Sequence, residues 1–237
     1  MNLGWKLSLV CKGLANESLL DSYNGERYPV AKEMLQRTTK TIDGLLGDSK
    51  KEELTPIHLS TIYKQLSVNY RCSSIVVDQQ ADRPKHTEAY LPDDDKELRA
   101  GDRAPDAPNL IPLRSNELGN SEATSLFDLF HPNHHTLLLY DPKADKIKAM
   151  SDIIMSMPQD FLHTFVILPP DNVPQASSPS IGIPGVSVLV DTQGHAHSAY
   201  HPVHEGLNMF VIRPDGVIGA ILKDEEGLKK YFKTILA

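Results

Sequence analysis

The chain opens on Asn2-Leu3-Gly4-Trp5-Lys6-Leu7, followed by Leu19-Leu20-Asp21-Ser22-Tyr23 and Glu26-Arg27-Tyr28-Pro29-Val30-Ala31. These stretches predict two helices meeting in a tight corner. In the first, over about 2–13, Leu3, Leu7 and Val10 share one face with Trp5 and Leu9 beside it, and Gly13 is the stop. In the second, over about 18–46, Tyr23, Val30, Met34, Ile42 and Leu45 keep three- and four-residue spacing behind a Ser18 N-cap. Pro29 falls inside that pattern and should kink it. Glu26 and Arg27 are expected as solvated or paired surface charges, which are common and weak. A loop over 47–51 leads to a third predicted helix over about 55–66, with Leu59, Ile62, Tyr63 and Leu66 on one face.

Going outward, Tyr70-Arg71-Cys72-Ser73-Ser74 leads into Ile75-Val76-Val77-Asp78, whose β-branched run predicts a strand. Residues 79–100 are polar, carry Pro84, Pro92 and the run Asp93-Asp94-Asp95, and are expected as a linker. Beyond Gly101 the pattern alternates strand and helix. Strands are predicted over Thr136–Tyr140, Phe165–Leu168, Val186–Val190, Met209–Ile212 and Val217–Leu222, with helices over about 143–157 and 224–236. Continuous apolar strands of this kind are buried on both faces. Ser125–Phe130 is read as a strand or a turn of helix, 169–184 as a surface loop, and Arg213-Pro214-Asp215-Gly216 as a tight turn. The expected organisation is therefore a helical segment over 1–78, a linker over 79–100 and an α/β domain over 101–237.

With 237 residues, 40% of them hydrophobic and 23% charged, the chain can bury a core of ordinary size. The net charge of −7, without a basic stripe, argues against nucleic acid. No apolar run reaches membrane-spanning length, and the apolar stretch between Lys6 and Lys12 is too short for a signal peptide. Two cysteines, Cys11 and Cys72, make no disulfide framework, so a reducing, cytoplasmic setting is expected.

Four motifs carry a resemblance: N-L-x-W-K-L at 2–7, L-L-x-S-Y-x-x-E-R-x-P-V-A at 19–31, G-D-R-A-P-D at 101–106 and R-P-D-G at 213–216. In this order they resemble the C-terminal portion of FAD-dependent aromatic hydroxylases of the phenol-hydroxylase type. Tyr70-Arg71 and Ile75-Val76 resemble that family's segment leading out of the flavoprotein body. The resemblance implies an α+β or α/β architecture, a helical remnant packed on a thioredoxin-like domain. It also implies that the flavin-binding motifs would precede residue 1. No G-x-G-x-x-G turn is present, and Tyr140 is followed by Asp141-Pro142-Lys143-Ala144 where a redox domain would carry C-x-x-C. The expectation is a chain without flavin or any other cofactor. It looks like a small relative from fungal secondary metabolism, of the alkaloid type.

Without a cofactor, only polar chemistry is left. The candidate constellation is Asp78, Tyr70 and Arg71 at the junction of helices and domain, with Trp5, Leu9, Tyr63 and Leu66 as apolar substrate-binding residues. An acid in an apolar pocket keeps its proton near neutrality and can open an epoxide, cyclise or isomerise. Asp78 is the candidate acid, Tyr70 a hydrogen-bond donor and Arg71 an anchor. The partners expected are a small apolar or aromatic molecule and a second copy of the chain. The alternative is a non-catalytic dimerisation or carrier partner of a full-length flavin monooxygenase. His131, His134 and His135, and His195, His197, His201 and His204 with Glu205, form two clusters, the second on a predicted hairpin. No third ligand at fixed spacing supports a metal in either.

Overall fold

Two of the quoted motifs meet in space. In the computed structural model, Ala104 donates its N–H to the Gly216 carbonyl at 2.9 Å, and Ile218 donates to Asp102 at 2.9 Å. The turn at 213–216 is thereby tied to the 101–106 segment. The structure describes residues 1–46, 67–84, 88–91, 95, 97–113, 123–140, 144–170, 185–202 and 208–237. The predicted third helix, with Tyr63 and Leu66, lies outside them, as do Asp93, Asp94, His204 and Glu205.

The chain begins with α1 (Asn2–Cys11), a 3-10 turn over Glu17–Leu20 and α2 (Asp21–Leu46). Next come β1 (Val77–Asp78), β2 (Leu110–Pro112) and α3 (Leu126–Leu129), then β3 (His135–Tyr140), α4 (Ala144–Ser156) and β4 (Leu162–Leu168). The last elements are β5 (Val186–Asp191), α5 (His195–Tyr200), β6 (Asn208–Ile212), β7 (Ile218–Leu222) and α6 (Glu225–Ile235). The strands form one mixed sheet in the order β1-β7-β6-β3-β4-β5-β2. β3, β4 and β5 run parallel, β6 is antiparallel to both β3 and β7, and β1 joins the rim parallel to β7.

Alternation along the strands explains the layers. Leu137, Leu139, Met209, Val211, Ala220 and Leu222 face one core with Trp5, Met150 and the Leu228–Phe232 side of α6. Leu138, Tyr140, Phe210, Ile212 and Ile221 face the other with Leu110, Leu126, Ala196 and Tyr200. The first core is where the opening helix docks.

Several expectations change. α1 buries Trp5, Lys6 and Leu9, whereas Leu3 and Leu7 stand 41% and 45% exposed. Leu3 and Leu7 point outward because Trp5, Leu9 and the paired Lys6 take the inward side, with the partly buried Val10 packed against the core. Asn16, not Ser18, precedes the 3-10 turn that delivers the chain into α2. Pro29 is the ninth residue of α2, within one helix. The Ile75–Val77 strand shrinks to Val77–Asp78. Ser125 caps α3 through a capping box with Asp128, which decides that stretch for helix. The hairpin predicted at His195–His201 is a helix instead. Gly194 turns at φ 71°, and the buried Asp191 carboxylate accepts the His197 backbone N–H at 2.9 Å, pinning the helix start.

Candidate functional site

The centre of the helix–sheet junction is ionic. Glu26, 3% exposed on α2, accepts both arms of the Arg213 guanidinium at 2.7 and 3.0 Å. Its Oε2 also accepts Lys6 at 2.7 Å and Asn2 at 2.6 Å, and its Oε1 accepts the Ser73 hydroxyl at 2.7 Å. Arg213 bonds Asp215 in turn, at 3.0 Å from Nε and 2.6 Å from Nη2. Two cations thus meet two anions, and the buried cluster is formally neutral. Burial opposes the Glu26 carboxylate, yet Arg213 and Lys6 bring it down to about 2. Burial, together with the Arg213 charge, holds Lys6 below the ordinary lysine range in spite of Glu26. Trp5 and Tyr70 lie against the guanidinium of Arg213, at 5.2 and 5.6 Å from their ring centroids.

Beside this cluster is an open cleft of about 690 Å³. Tyr23 and Arg27 of α2, Tyr70, Arg103, Phe127, Phe130 and Asp215 line it. Its volume suits a drug-sized ligand, and its lining mixes the aromatic rings of Tyr23, Tyr70, Phe127 and Phe130 with the charges of Arg27, Arg103 and Asp215. Arg27 Nη1 donates to the Tyr70 hydroxyl oxygen at 3.1 Å. Burial raises the Tyr70 phenol and the Arg27 charge partly offsets it, so the hydroxyl keeps its proton.

The expected trio does not share this cavity. Tyr70 lines the cleft, while Arg71 and Asp78 line a separate cavity of about 500 Å³ together with Arg83, Arg99 and Lys230. Asp78 accepts the backbone N–H groups of Gln80, Ala81 and Ala100 at 2.9, 3.1 and 3.0 Å, so both oxygens secure main chain. Arg71 spends its guanidinium on Asp102 at 2.7 and 2.8 Å, on Asp95 at 2.8 Å and on the Glu97 carbonyl at 2.9 Å. Burial works against that charge, but Asp102 and Asp95 keep Arg71 above the ordinary arginine value. These bonds fasten the described part of 79–100 to the body. Trp5 and Leu9 are buried, and both line a third, smaller pocket.

Arg27, Asp215, Phe127 and Phe130 were not singled out from sequence. The available signal was the pair of motifs E-R at 26–27 and R-P-D-G at 213–216, each setting an acid beside an arginine. Among the described residues no three His, Cys, Asp or Glu side chains group as metal ligands. His134 stacks on His131 and His163 at centroid distances of 5.1 and 3.6 Å. No described helix is long and apolar enough to cross a membrane.

Comparison with known proteins gives the wider setting. A family model described as "FAD binding domain" matches residues 1–38. A flavin-dependent monooxygenase of Mycobacteroides abscessus is 33% identical over 174 residues, covering 72% of this chain and 30% of that protein. Pentachlorophenol 4-monooxygenase of Sphingobium chlorophenolicum is 31% identical over 145 residues, covering 58% of this chain and 23% of that protein. The crystal structure of the flavin-dependent monooxygenase PieE in complex with FAD and substrate superposes with a TM-score of 0.62 at 19% identity, over 99% of this chain and 42% of PieE. The helix corner packed on a mixed sheet is therefore a flavin-monooxygenase architecture. The chain is a relative of the FAD-dependent aromatic hydroxylases, and it spans less than a third of the length of these two curated relatives.

FAD is the cofactor those names imply. The matched residues 1–38 are the helix corner, not a strand-to-helix turn. Among the described residues this stretch holds no Gly-rich strand-to-helix turn of the kind that cradles a pyrophosphate.

Proposed function

We propose that this chain binds an aromatic or apolar small molecule in the cleft and performs non-oxidative acid–base chemistry on it, as part of a biosynthetic pathway. The observation that carries the proposal is the Arg27–Tyr70 pair on the wall of the 690 Å³ cleft. The guanidinium donates to the phenol oxygen, so the phenol proton is left to point at a ligand. In an epoxide opening, the C–O bond breaks as Tyr70 gives its proton to the departing oxygen. Arg27 then holds the phenolate, which takes a proton back from the carbon beside the cationic centre. The product is an isomer, with no electrons gained or lost. The ring faces of Phe127 and Tyr23 shelter the developing cation. In this proposal the 101–237 part is a thioredoxin-like scaffold without thiol chemistry; Cys11 and Cys72 are exposed and free. The relatives' printed substrates, pentachlorophenol among them, support an aromatic ligand.

The test is to incubate the purified chain, with no flavin added, with an aryl epoxide such as styrene oxide. Conversion to an isomer of unchanged mass is expected. Recovery of intact epoxide under conditions where it binds the cleft overturns the enzymatic reading.

A second reading has its own observation. Tyr28, Leu35 and Ile42 stand 63%, 69% and 48% exposed at seven-residue spacing along α2, and Leu3 and Leu7 are exposed on α1. A seven-residue apolar stripe is the pattern by which helices associate, so this face supports a homodimer or a carrier partner of a flavin monooxygenase. Sedimentation of the native chain against a Leu35→Glu variant tests whether this face associates; an unchanged sedimentation coefficient would remove the observation behind the second reading.

A further inference from the structure

Three polar side chains near α1 are buried without a hydrogen-bond partner: the Trp5 indole N–H, both ring nitrogens of His135 and the Tyr231 hydroxyl. Such orphans are rare and need a physical account. His135 is 1% exposed at the start of β3, and burial, with Arg213 nearby, lowers its pKa to about 3, so the ring is neutral. It meets Trp5 edge-on at 5.4 Å and Phe161 at 4.8 Å between ring centroids. All three residues line a pocket of about 190 Å³ together with Gly4, Leu9 and Pro132, with Ser8, Lys12 and Asn133 also on its wall, and it is distinct from the large cleft. A dry apolar cavity of roughly 150 Å³ takes a benzene ring. This pocket therefore has room for one ring and a small substituent.

The polar groups specify the substituent. A neutral imidazole offers one donor and one acceptor nitrogen, and the indole offers one donor. A hydroxyl can accept from the indole while it donates to the imidazole acceptor, and it brings no charge into a largely buried site. A carboxylate would need both N–H groups turned toward it and carries an ion with it, and an ammonium finds only the one acceptor. Both nitrogens are covered in the structure, so binding turns the rings about χ2, a soft torsion for aromatic side chains. We infer that the pocket between α1 and the start of β3 is a second ligand site, for a neutral single-ring alcohol whose hydroxyl bridges Trp5 and His135. The relationship to the cleft is one of neighbours, since Pro132 and Pro214 border both. The site stands whether or not the cleft is catalytic.

Trp5 is the chain's one tryptophan, so its emission reports the pocket directly. Titration of the full chain with benzyl alcohol and with toluene is the test. Both are expected to shift the emission saturably, with benzyl alcohol binding about tenfold tighter, the scale of a satisfied hydrogen bond. His135→Phe removes the acceptor and keeps the ring, so it should erase the preference while retaining toluene. Gly4→Leu, at a helical position where a Cβ meets nothing, should block both ligands without disturbing the fold. An emission insensitive to both ligands overturns the inference. So does a preference that survives in His135→Phe, or wild-type binding of both ligands by Gly4→Leu.

Discussion

Glu26 and Arg213 lie 187 residues apart in sequence and face each other across the helix–sheet junction in two parallel hydrogen bonds of 2.7 and 3.0 Å. Each is at most 3% exposed. Lys6 and Asp215 complete the set, so α1, α2 and the 213–216 turn converge on one carboxylate.

Removing that carboxylate leaves two buried cations facing one anion. Glu26→Ala is expected to cost about 3–5 kcal/mol, the range for breaking one side of a buried ion pair. Glu26→Gln, which keeps the shape, should recover part of it. Urea midpoints of the three proteins decide; a Glu26→Ala midpoint equal to wild type would show the cluster contributes nothing.

Acid should unfold the chain in two overlapping stages. His135 titrates near 6.5 when unfolded and near 3 when folded, and Glu26 near 4.5 and near 2. In both windows the unfolded chain holds more protons. Stability from each group is therefore complete above the unfolded value and is lost as pH falls toward the folded one. The decline should begin below about pH 6.5 and steepen below about 4.5. In His135→Phe the upper stage should shrink to the part carried by His134, which burial lowers to about 4; an unaltered profile in that variant rejects this assignment.

Tyr70→Phe should leave the fold intact and lower turnover of an aryl epoxide by about 10²–10⁴-fold, the usual contribution of a positioned general acid. Asp78→Asn, by contrast, should act through stability and leave turnover per folded molecule unchanged. Steady-state kinetics corrected for the folded fraction distinguish the two, and equal kinetic losses in both would contradict the geometry described.

Gly101 has φ 101°, and a Cβ there would collide with the backbone of Tyr70 and Arg71. Tyr70 donates its N–H to the Gly101 carbonyl at 2.7 Å, so the two stretches cannot separate cheaply. Gly101→Ala is expected to lose more than about 1 kcal/mol, since Ala is incompatible with positive φ. Thermal melts read the effect, and a neutral result would mean the segments part without cost.

Much of the sheet was legible because Thr136–Tyr140, Met209–Ile212 and Val217–Leu222 are apolar without interruption, and only a buried strand or short core helix tolerates that. The order of the four motifs pointed correctly to hydroxylase relatives. The site was less legible for a physical reason. Lys6, Glu26 and Arg213 look like surface charges one at a time, and only the fold brings their opposite signs together inside. The same blindness exchanged the faces of α1, because Leu3 and Leu7 out-scored a lysine whose partner lies twenty residues away. His195–Tyr200 was read as a hairpin because nothing local shows that Asp191 anchors a helix start. Tyr70 was singled out, but its partner Arg27 was read as a solvated or paired surface charge, and Asp78, expected beside Tyr70, lines a separate cavity with both oxygens accepting main-chain N–H groups.

Both rims of the described sheet are stubs. β1 contributes two residues and β2 three, the last of them Pro112, which has no N–H to offer. A foreign strand seeking to anneal there finds almost no ladder to extend. Fibrillar stacking through the described sheet is thus frustrated at both margins.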